Sequence, residues 1–310
     1  MTTIAISPEL KSGLGWEVEP TAPGGIVVGV DGSSESIAAF NTASAIATAR
    51  RCAVHIVSVI PPFASYRVGP EIDQNESEIE SLRINIREMV IREILEKSNP
   101  ENVWTHEVVT GRAPRAIVTA AERRNARMIV VGRRRHGPMD KLLGGETTLQ
   151  VIRMSPIPVL AVQAELSGPN SVVVATDFSP SSTRSARLAL ELLGNQGKLY
   201  MVHVESPLEP RAPVSGLTSD GRFPGDLVVW FRRQLEELHV HENVIIETVA
   251  LSGKPAEEVL DFAARVGADL IASGTHGHSR LERFLLGSVS TAIARSAVCP
   301  ILVASPDSKD

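Results

Sequence analysis

A row of glycines near the C-terminus has the spacing of a phosphate-binding loop. Three glycines and one serine form the pattern G-x2-G-x9-G-S: Gly274, Gly277, Gly287 and Ser288. Glycine lets backbone N–H groups approach phosphate oxygens because no Cβ stands in the way, and a helix N-terminus adds partial positive charge. The Ser288 hydroxyl is a further donor. The pattern therefore predicts a site for a phosphorylated ligand, if a strand precedes it and a helix follows Gly287.

The chain contains two copies of one sequence pattern, and one aspartate recurs in both. The segment 26–34 (IVVGVDGSS) matches the segment 172–180 (VVVATDFSP), so Asp31 aligns with Asp177. Taken alone, Asp177 could be a helix-capping or turn carboxylate. Beside the glycine pattern of the same copy, a role in ligand binding is favoured.

A parallel sheet is needed to position these residues. Within each copy, short β-branched runs alternate with longer helical stretches, which is typical of βαβ units. The runs are continuously apolar because strands of such sheets are covered on both faces. Ser179 is the expected N-cap of a helix that starts at Pro180. The expected strands of the second copy are 171–177, 199–205, 244–251, 269–274 and 300–304.

The length of 310 residues favours two domains, since one domain typically has roughly 150 residues. We expect one α/β domain over residues 24–163 and a second over residues 171–305. Residues 1–23 form an N-terminal extension that we expect to be a tail or an extra strand.

At the glycine pattern the sequence resembles the universal stress protein family, whose ATP-binding members carry G-x2-G-x9-G-[ST] at this place. The resemblance extends to ATDFSP at the first strand, to GKPAEEV and to ADLIASG. It covers both copies and nearly everything after residue 24. It implies two Rossmann-like domains related by a pseudo-two-fold, each with a five-stranded parallel sheet of order 3-2-1-4-5 flanked by helices.

The resemblance also implies a bound ATP, or ADP or AMP, where the first and fourth strands of the second domain diverge. Any Mg²⁺ is then held mainly through the nucleotide. By this resemblance, Ala175 and Asp177 lie beside the adenosine, the backbone of Val204 reads the adenine, and Ser273 and Gly274 line the ribose side. The phosphates are held by Gly277, Gly287, Ser288 and Val289. The implied binding residues are Ala175, Thr176, Asp177, Val204, Ser273, Gly274, His276, Gly277, Gly287, Ser288 and Val289.

The first copy departs from the pattern at two positions. An offset of 142 residues places Arg135 where Gly277 stands and Glu146 where Ser288 stands. A carboxylate at a helix N-terminus competes for its donors and repels phosphate. The sequence therefore predicts a degenerate site, made of Asp31, Val59, Gly132, Arg133, Arg135 and Gly145.

The arginines 133–135 have two further interpretations. With Arg112 and Lys141 they could form a different anion site or bind a nucleotide in another pose. The alternative is a solvated loop paired with Glu146 and Asp140, which is the usual role of an exposed run of charges.

Composition and charge exclude several functional classes. The net charge of −5 gives no long-range attraction to nucleic acid. No apolar run approaches the roughly 20 residues that span a bilayer, and the N-terminus lacks the pattern of a signal peptide. Cys52 and Cys299 lie in apolar contexts, which predicts core residues in a reducing compartment. We therefore expect a cytoplasmic protein without a membrane segment.

Three functional hypotheses remain open. The first is a stress-response module that senses or buffers ATP, the second a slow ATP hydrolase, and the third an ATP-independent interaction scaffold. No residue is identified as a catalytic base, so at most weak ATPase activity is expected. A metal site formed by His203, His276 and His278 is disfavoured because no Cys, Asp or Glu clusters with them.

Assembly is expected from the fifth strands. PVLAV (158–162) and PILVA (300–304) are expected to pack across the pseudo-two-fold within one chain, as subunits do in the family's homodimers. A homodimer of tandem chains and a regulatory protein partner of unknown identity are also expected.

Overall fold

The structure is a computed structural model that describes seven stretches of the chain. The chain divides into two compact units. Unit 1 comprises residues 1–167 and unit 2 comprises residues 168–310. Each unit is an α/β domain built on a mainly parallel sheet. The described residues are 4–6, 24–61, 76–94, 103–134, 146–205, 225–275 and 286–306.

Unit 1 has the predicted sheet with one strand added. Its elements are β1 (Ile4–Ile6), β2 (Ile26–Gly29), α1 (Ser34–Arg50), β3 (Val54–Ile60), α2 (Glu76–Glu93), β4 (Trp104–Thr110), α3 (Ala113–Arg123), β5 (Met128–Gly132), α4 (Glu146–Met154) and β6 (Val159–Val162). The strand order is β1-β4-β3-β2-β5-β6. The five strands after β1 are parallel and follow the predicted order 3-2-1-4-5. The N-terminal extension supplies β1, which runs antiparallel to β4.

Unit 2 repeats this sheet without the added strand. Its elements are β7 (Ser171–Ala175), α5 (Pro180–Leu193), β8 (Gly197–Glu205), α6 (Gly225–Glu236), β9 (Val244–Ser252), α7 (Pro255–Val266), β10 (Leu270–Gly274), α8 (Ser288–Ser296) and β11 (Ile301–Ala304). The order is β11-β10-β7-β8-β9, and all neighbours are parallel. Each strand predicted for this copy is confirmed to within two residues at either end.

The central strands explain the continuous apolar runs. Val28 and Val130 in unit 1, and Val173 and Ile271 in unit 2, are at most 1% exposed. Helices cover both faces of such a sheet, so every residue of a central strand is buried whichever way its side chain points. The core of each unit therefore lies along its first and fourth parallel strands.

The first helix of each unit starts at a serine cap. Ser33 accepts a hydrogen bond from the N–H of Ser36 at 3.2 Å, and Ser179 accepts one from Ser182 at 3.3 Å. Both serines have extended backbone angles, as N-cap residues do. The N-cap predicted at Ser179 is confirmed, and it fixes where the chain turns from β7 into α5.

Unit 1 buries the ionisable side chains of His55 on β3 and Glu107 on β4, and it pairs Glu107 with the exposed Arg123 of α3. His55 Nδ1 lies 2.6 Å from Thr105 Oγ1, and its Nε2 lies 3.1 Å from Glu107 Oε1. Arg123 donates to both Glu107 oxygens at 2.6 and 2.7 Å. Burial lowers the pKa of His55. Burial raises the pKa of Glu107, but the hydrogen bond from His55 and the charges of His55 and Arg123 outweigh it, so that pKa lies below its usual value.

The cysteines differ from the prediction. Cys52 and Cys299 form no disulfide, but both are half-buried and not fully in the core. Each precedes its strand by two residues, at the rim of the sheet, so the apolar run after the cysteine is buried more deeply than the cysteine itself. Among the described residues, no helix is long and apolar enough to span a bilayer.

Candidate functional site

The candidate site of unit 2 lies where two neighbouring strands lead in opposite directions. β7 pairs with β10, and Ala175 is the register partner of Ser273 at their carboxyl ends. The next strand after β7 lies on one side of this pair and the next strand after β10 lies on the other. Such a switch point leaves a crevice beyond the strand ends, which is where open α/β sheets bind ligands.

Asp177 lies at the turn between β7 and α5. The N–H of Ser179 donates to Asp177 Oδ1 at 3.0 Å, and the aspartate is half-buried. Phe178, between them, has φ of +63°, a left-handed conformation that is rare for a residue with a side chain. This turn holds the carboxylate at the start of α5, beside the crevice.

The side chain of Thr176 makes its hydrogen bonds within the core and not toward the crevice. It is 6% exposed, and its hydroxyl donates to Gln234 Oε1 at 2.8 Å and accepts from the N–H of Phe178 at 3.0 Å. Gln234 in turn donates to Thr183 Oγ1 at 2.9 Å. The Thr176 side chain is therefore engaged with α5 and α6, which leaves its backbone as the part that can face a ligand.

Gln234 was missed by the sequence analysis. It is 3% exposed and lies on the α6 face that carries Leu227 and Phe231. The sequence does contain a signal: Gln234 occupies a position where the apolar period of the helix would place a core residue. A buried amide at such a position needs hydrogen-bond partners. This amide connects α6 to the turn that holds Asp177.

His203 and Val204 occupy the end of β8. His203 Nδ1 lies 2.9 Å from the carbonyl oxygen of Thr176, and its ring lies 4.8 Å from the ring of Phe178. Val204 is half-buried beside it. The His203 ring thus packs on the turn that holds Asp177. His276 and His278 lie outside the described residues.

Gly274 is required by packing. A Cβ added to Gly274 would lie 2.9 Å from the carbonyl carbon of Ser181, in the first turn of α5. In unit 1, a Cβ on Gly132 would lie 2.6 Å from the carbonyl carbon of Glu35. Both glycines let the fourth parallel strand pass close to the first helix, so a bound ligand is not needed to explain either one.

The carboxyl end of β10 is linked to α8 by hydroxyl groups. The Ser290 hydroxyl donates to the carbonyl oxygen of Gly274, and it lies 3.0 Å from the hydroxyl of Ser273. In unit 1, the Thr148 hydroxyl donates to the carbonyl oxygen of Gly132 at 3.0 Å. The third residue of the last helix therefore fixes the helix against the strand end in both copies.

Helix α8 starts at the crevice without a side-chain cap. Its N-cap is Gly287, whose N–H donates to the carbonyl oxygen of Thr275 at 2.7 Å. Ser288 at the first helical position is exposed, and Val289 is half-buried. The first turn thus offers backbone donors and one hydroxyl. His276 and Gly277 lie outside the described residues.

The corresponding site of unit 1 contains more charge. Asp31 Oδ1 accepts from the N–H and the hydroxyl of Ser33 at 3.0 and 2.6 Å. Burial raises the pKa of Asp31, but these hydrogen bonds, one from Ser36 and the charge of Arg134 outweigh it, so that pKa lies below its usual value. Arg134 Nε also lies 3.8 Å from Glu35 Oε2. A carboxylate pair and an arginine thus surround the start of α1.

The remaining unit 1 positions are partly described. Val59 is half-buried near the end of β3. Arg133 follows β5 and is only 7% exposed, because its backbone continues along β6. The interpretation as a solvated loop is therefore wrong for this residue. Glu146 is the first residue of α4, where unit 2 has Ser288. Arg135 and Gly145 lie outside the described residues.

Comparisons with known proteins agree with this fold. Residues 25–163 and 169–305 each match the model of the universal stress protein family. A universal stress protein of Mycolicibacterium smegmatis is 27% identical over 296 residues, which cover 91% of this chain and 97% of that protein. One of Mycobacterium tuberculosis is 28% identical over 306 residues, covering 90% and 94%.

A solved structure has the same fold. The crystal structure of a universal stress protein from Archaeoglobus fulgidus has a TM-score of 0.63 and 20% identity, covering 91% of this chain and 98% of that one. This likeness concerns the fold alone. Two family matches and relatives that span nearly the whole chain lead to one conclusion: the chain belongs to the universal stress protein family.

Proposed function

We propose that the protein binds an adenine nucleotide, ATP or its products ADP and AMP, in unit 2 and acts as a nucleotide-dependent regulator or sensor of stress. The observation that carries the proposal is the start of α8. This nine-residue helix begins at the crevice with a glycine N-cap and no side-chain cap. Its first backbone N–H groups are suited to phosphate oxygens.

The position of Gly287 supports this role. A Cβ at Gly287 would lie 3.1 Å from the carbonyl oxygen of Thr275, which is tighter than ordinary contact. The glycine lets the helix start lie close to the end of β10, and Ser288 adds its exposed hydroxyl. In this proposal Mg²⁺ is bound mainly through the phosphates.

The nucleoside would lie at the other side of the crevice. Asp177 is held there by the Ser179 N–H, and a carboxylate in this position accepts hydrogen bonds from ribose hydroxyls. Ser273 and the backbone of Val204 are close by along β10 and β8. Family membership supports the same assignment, since the glycine pattern that the family's ATP-binding members carry is intact in unit 2 only.

The sharpest test copies the first repeat into the second. Ser288→Glu places a carboxylate where α4 has Glu146. An acidic residue at the first helical position favours the helix, so the free energy of unfolding should not fall. ATP affinity should fall roughly 10- to 100-fold through repulsion of the phosphates, whereas adenosine affinity should change little.

The matched control is Ser288→Ala, which removes only the hydroxyl. Loss of one hydrogen bond should weaken ATP binding about 2- to 10-fold. Calorimetric titration with ATP and adenosine measures both effects, and extraction of the purified wild type should yield about one adenine nucleotide per chain. A wild-type protein that carries none and binds none contradicts the proposal, and two equivalent sites contradict the assignment to unit 2.

A further inference from the structure

A buried amide on α6 connects that helix to the turn at the crevice. Gln234 Oε1 accepts a hydrogen bond from the Thr176 hydroxyl at 2.8 Å, and Gln234 Nε2 donates to Thr183 Oγ1 at 2.9 Å and to Ser182 Oγ at 3.3 Å. A side-chain amide has two N–H donors and one oxygen, so all three groups of Gln234 are used. The amide therefore joins the end of β7, the first turn of α5 and α6 in one hydrogen-bond network.

The network extends to the backbone beside Asp177. The Thr176 hydroxyl accepts from the N–H of Phe178 at 3.0 Å, and it donates its own proton to Gln234 Oε1. Gln234 thus fixes the direction of the hydroxyl that holds the Phe178 N–H. Asp177 stands between Thr176 and Phe178 in the chain, so the amide acts on the backbone on both sides of the carboxylate.

Phe178 needs this support because its backbone conformation is strained. Its φ of +63° is left-handed, and a bulky residue keeps such a conformation only where its surroundings impose it. Helix α6 provides a second contact here, since the rings of Phe231 and Phe178 meet edge-on with their centroids 5.0 Å apart. The position of the Asp177 carboxylate beside the crevice therefore depends on α6.

The matching turn of unit 1 forms without such a network. The alignment of the two first strands pairs Val30 with Thr176 and Ile37 with Thr183. The side chains of valine and isoleucine have no hydrogen-bonding group, and Val30 is 3% exposed. The turn there contains Gly32 with φ of +84°, which glycine adopts without strain. The fold therefore does not require the network, which occurs in the unit whose glycine pattern is intact.

We propose that Gln234 is a positioning residue for the ribose end of the nucleotide site. Through Thr176 it holds the turn so that the Asp177 carboxylate accepts hydrogen bonds from the ribose hydroxyls. At 3% exposure Gln234 lies too deep to contact the ligand itself. The inference rests on the proposed nucleotide binding and adds the residue that governs recognition of the sugar. The phosphate end, at the start of α8, does not depend on Gln234.

The test compares calorimetric titrations with ATP and with 2′,3′-dideoxy-ATP, which lacks both hydroxyls that Asp177 would bind. The wild type should bind ATP about 10- to 100-fold more tightly, since hydrogen bonds to a charged group are lost with the analogue. Inorganic triphosphate serves as the third probe, because it can occupy only the phosphate end.

The decisive variant removes the whole network and keeps its shape. Thr176→Val, Thr183→Val and Gln234→Leu together replace the partners by apolar groups of similar size, which is nearly neutral for folding, as chemical denaturation would verify. The Phe178 N–H loses its acceptor, so the preference for ATP over the analogue should fall to about 3-fold or less. Affinity for inorganic triphosphate should be unchanged. Gln234→Leu alone should lower the preference in the same direction.

The matched control is Ser185→Ala on the same helix, α5. The Ser185 hydroxyl is buried and donates to the carbonyl oxygen of Ser181 at 2.9 Å, so the variant loses a buried hydrogen bond but leaves Gln234 and Thr176 in place. It should keep the wild-type preference for ATP. A loss of preference equal to that of the triple variant would mean that any weakening of α5 has this effect, and it would overturn the inference.

The outcomes separate this inference from the proposed function. A wild type that binds none of the three probes overturns both. A wild type that binds ATP and the analogue equally overturns the positioning role while nucleotide binding stands. A triple variant that folds and keeps the wild-type preference also overturns the role of Gln234 alone.

Discussion

The two units bury polar side chains of different kinds at different ends of their strands. Unit 1 buries His55 and Glu107 on its outer strands, where Glu107 is paired with the exposed Arg123 of α3. At the matching positions, unit 2 has Tyr200 and Val249, and Tyr200 instead contacts the ring of Phe262 at 5.4 Å. Unit 2 places its buried polar network at the strand end, between Asp177 and α6.

The comparison shows that the two copies share the same sheet and helices but bury different polar side chains. In unit 1, the Glu107 carboxylate is buried on β4, the strand that pairs with β1, and the candidate site contains additional charge. In unit 2, uncharged amide and hydroxyl groups hold the turn beside an uncapped helix start. Unit 1 buries charge near its edge strand, whereas unit 2 uses neutral amide and hydroxyl groups beside its crevice. We therefore expect the two units to respond differently to substitution and to pH.

The largest expected effect tests what both units share. Gly132→Ala and Gly274→Ala should each lower the free energy of unfolding by about 3 kcal/mol, because the new Cβ meets helix atoms that cannot move independently. Chemical denaturation without any nucleotide measures the loss. Equal losses would mean that both glycines are required for packing, and an unchanged stability in either variant would contradict the close approach described for that unit.

The next effect separates the units by pH. Burial lowers the pKa of His106 from 6.5 to about 4, so the folded chain resists protonation more than the unfolded chain does. Stability should therefore fall as the pH is lowered from 6.5 towards 4, by roughly 3 kcal/mol for this group. Ionised Glu107 contributes in the same direction at the lower end of that range.

The matched variant is His106→Thr, which copies Thr248 of unit 2. It removes the titrating group together with the hydrogen bond between His106 Nε2 and Ser58 Oγ, which are 3.2 Å apart. The unfolding free energy at pH 7 should therefore drop, while its slope with pH becomes shallower. Denaturation curves at several pH values measure both. An unchanged slope would show that His106 is not the group responsible.

The third effect concerns the turn after the first strand. Unit 1 has Gly32 there with φ of +84°, and unit 2 has Phe178 with φ of +63°. Phe178→Gly should release strain of about 1 kcal/mol but lose more through its ring contacts with His203 and Phe231, for a net loss of about 1–2 kcal/mol. Gly32→Ala should cost about 1 kcal/mol through backbone strain, and its Cβ would also lie 3.3 Å from Met89 Cε, the end of a flexible side chain. A stabilised Phe178→Gly would contradict this order.

The smallest expected effect is at the last helix of each unit. Ser290→Ala and Thr148→Val should each cost about 1 kcal/mol, the value of one lost hydrogen bond to a glycine carbonyl. Ser290→Ala should also weaken ATP binding a few-fold, because it loosens the start of α8. Nucleotide titration of both variants checks this, and an equal effect of Thr148→Val would contradict a site confined to unit 2.

Local features were predictable from the sequence. Strand bounds and the Ser179 cap follow from apolar runs, the repeat and N-cap preference, all of which act over a few residues. A short segment specifies these properties without knowledge of its distant partners. The strand order and the place of Asp177 beside the crevice were instead implied by the resemblance to the family.

Long-range contacts were not predictable. The close approach of Gly274 to Ser181 depends on how a strand packs against a helix more than 90 residues away in the chain. The burial of Gln234 depends on Thr176 and Thr183, and the pairing of β1 depends on β4. The burial of Arg133 could not be predicted, because Arg133 belongs to a run of arginines and such runs are usually solvated.

The aromatic rings beside the Asp177 turn have an optical consequence. Trp230 is half-exposed, and its ring centroid lies 6.1 Å from that of Phe178, the residue that follows Asp177. Trp104 in unit 1 is 4% exposed and packs against Phe40 at 4.7 Å. In a Trp16→Phe background these are the two remaining indoles of the chain. Red-shifted emission would come from unit 2 and blue-shifted emission from unit 1, so one fluorescence spectrum would follow each half of the molecule separately.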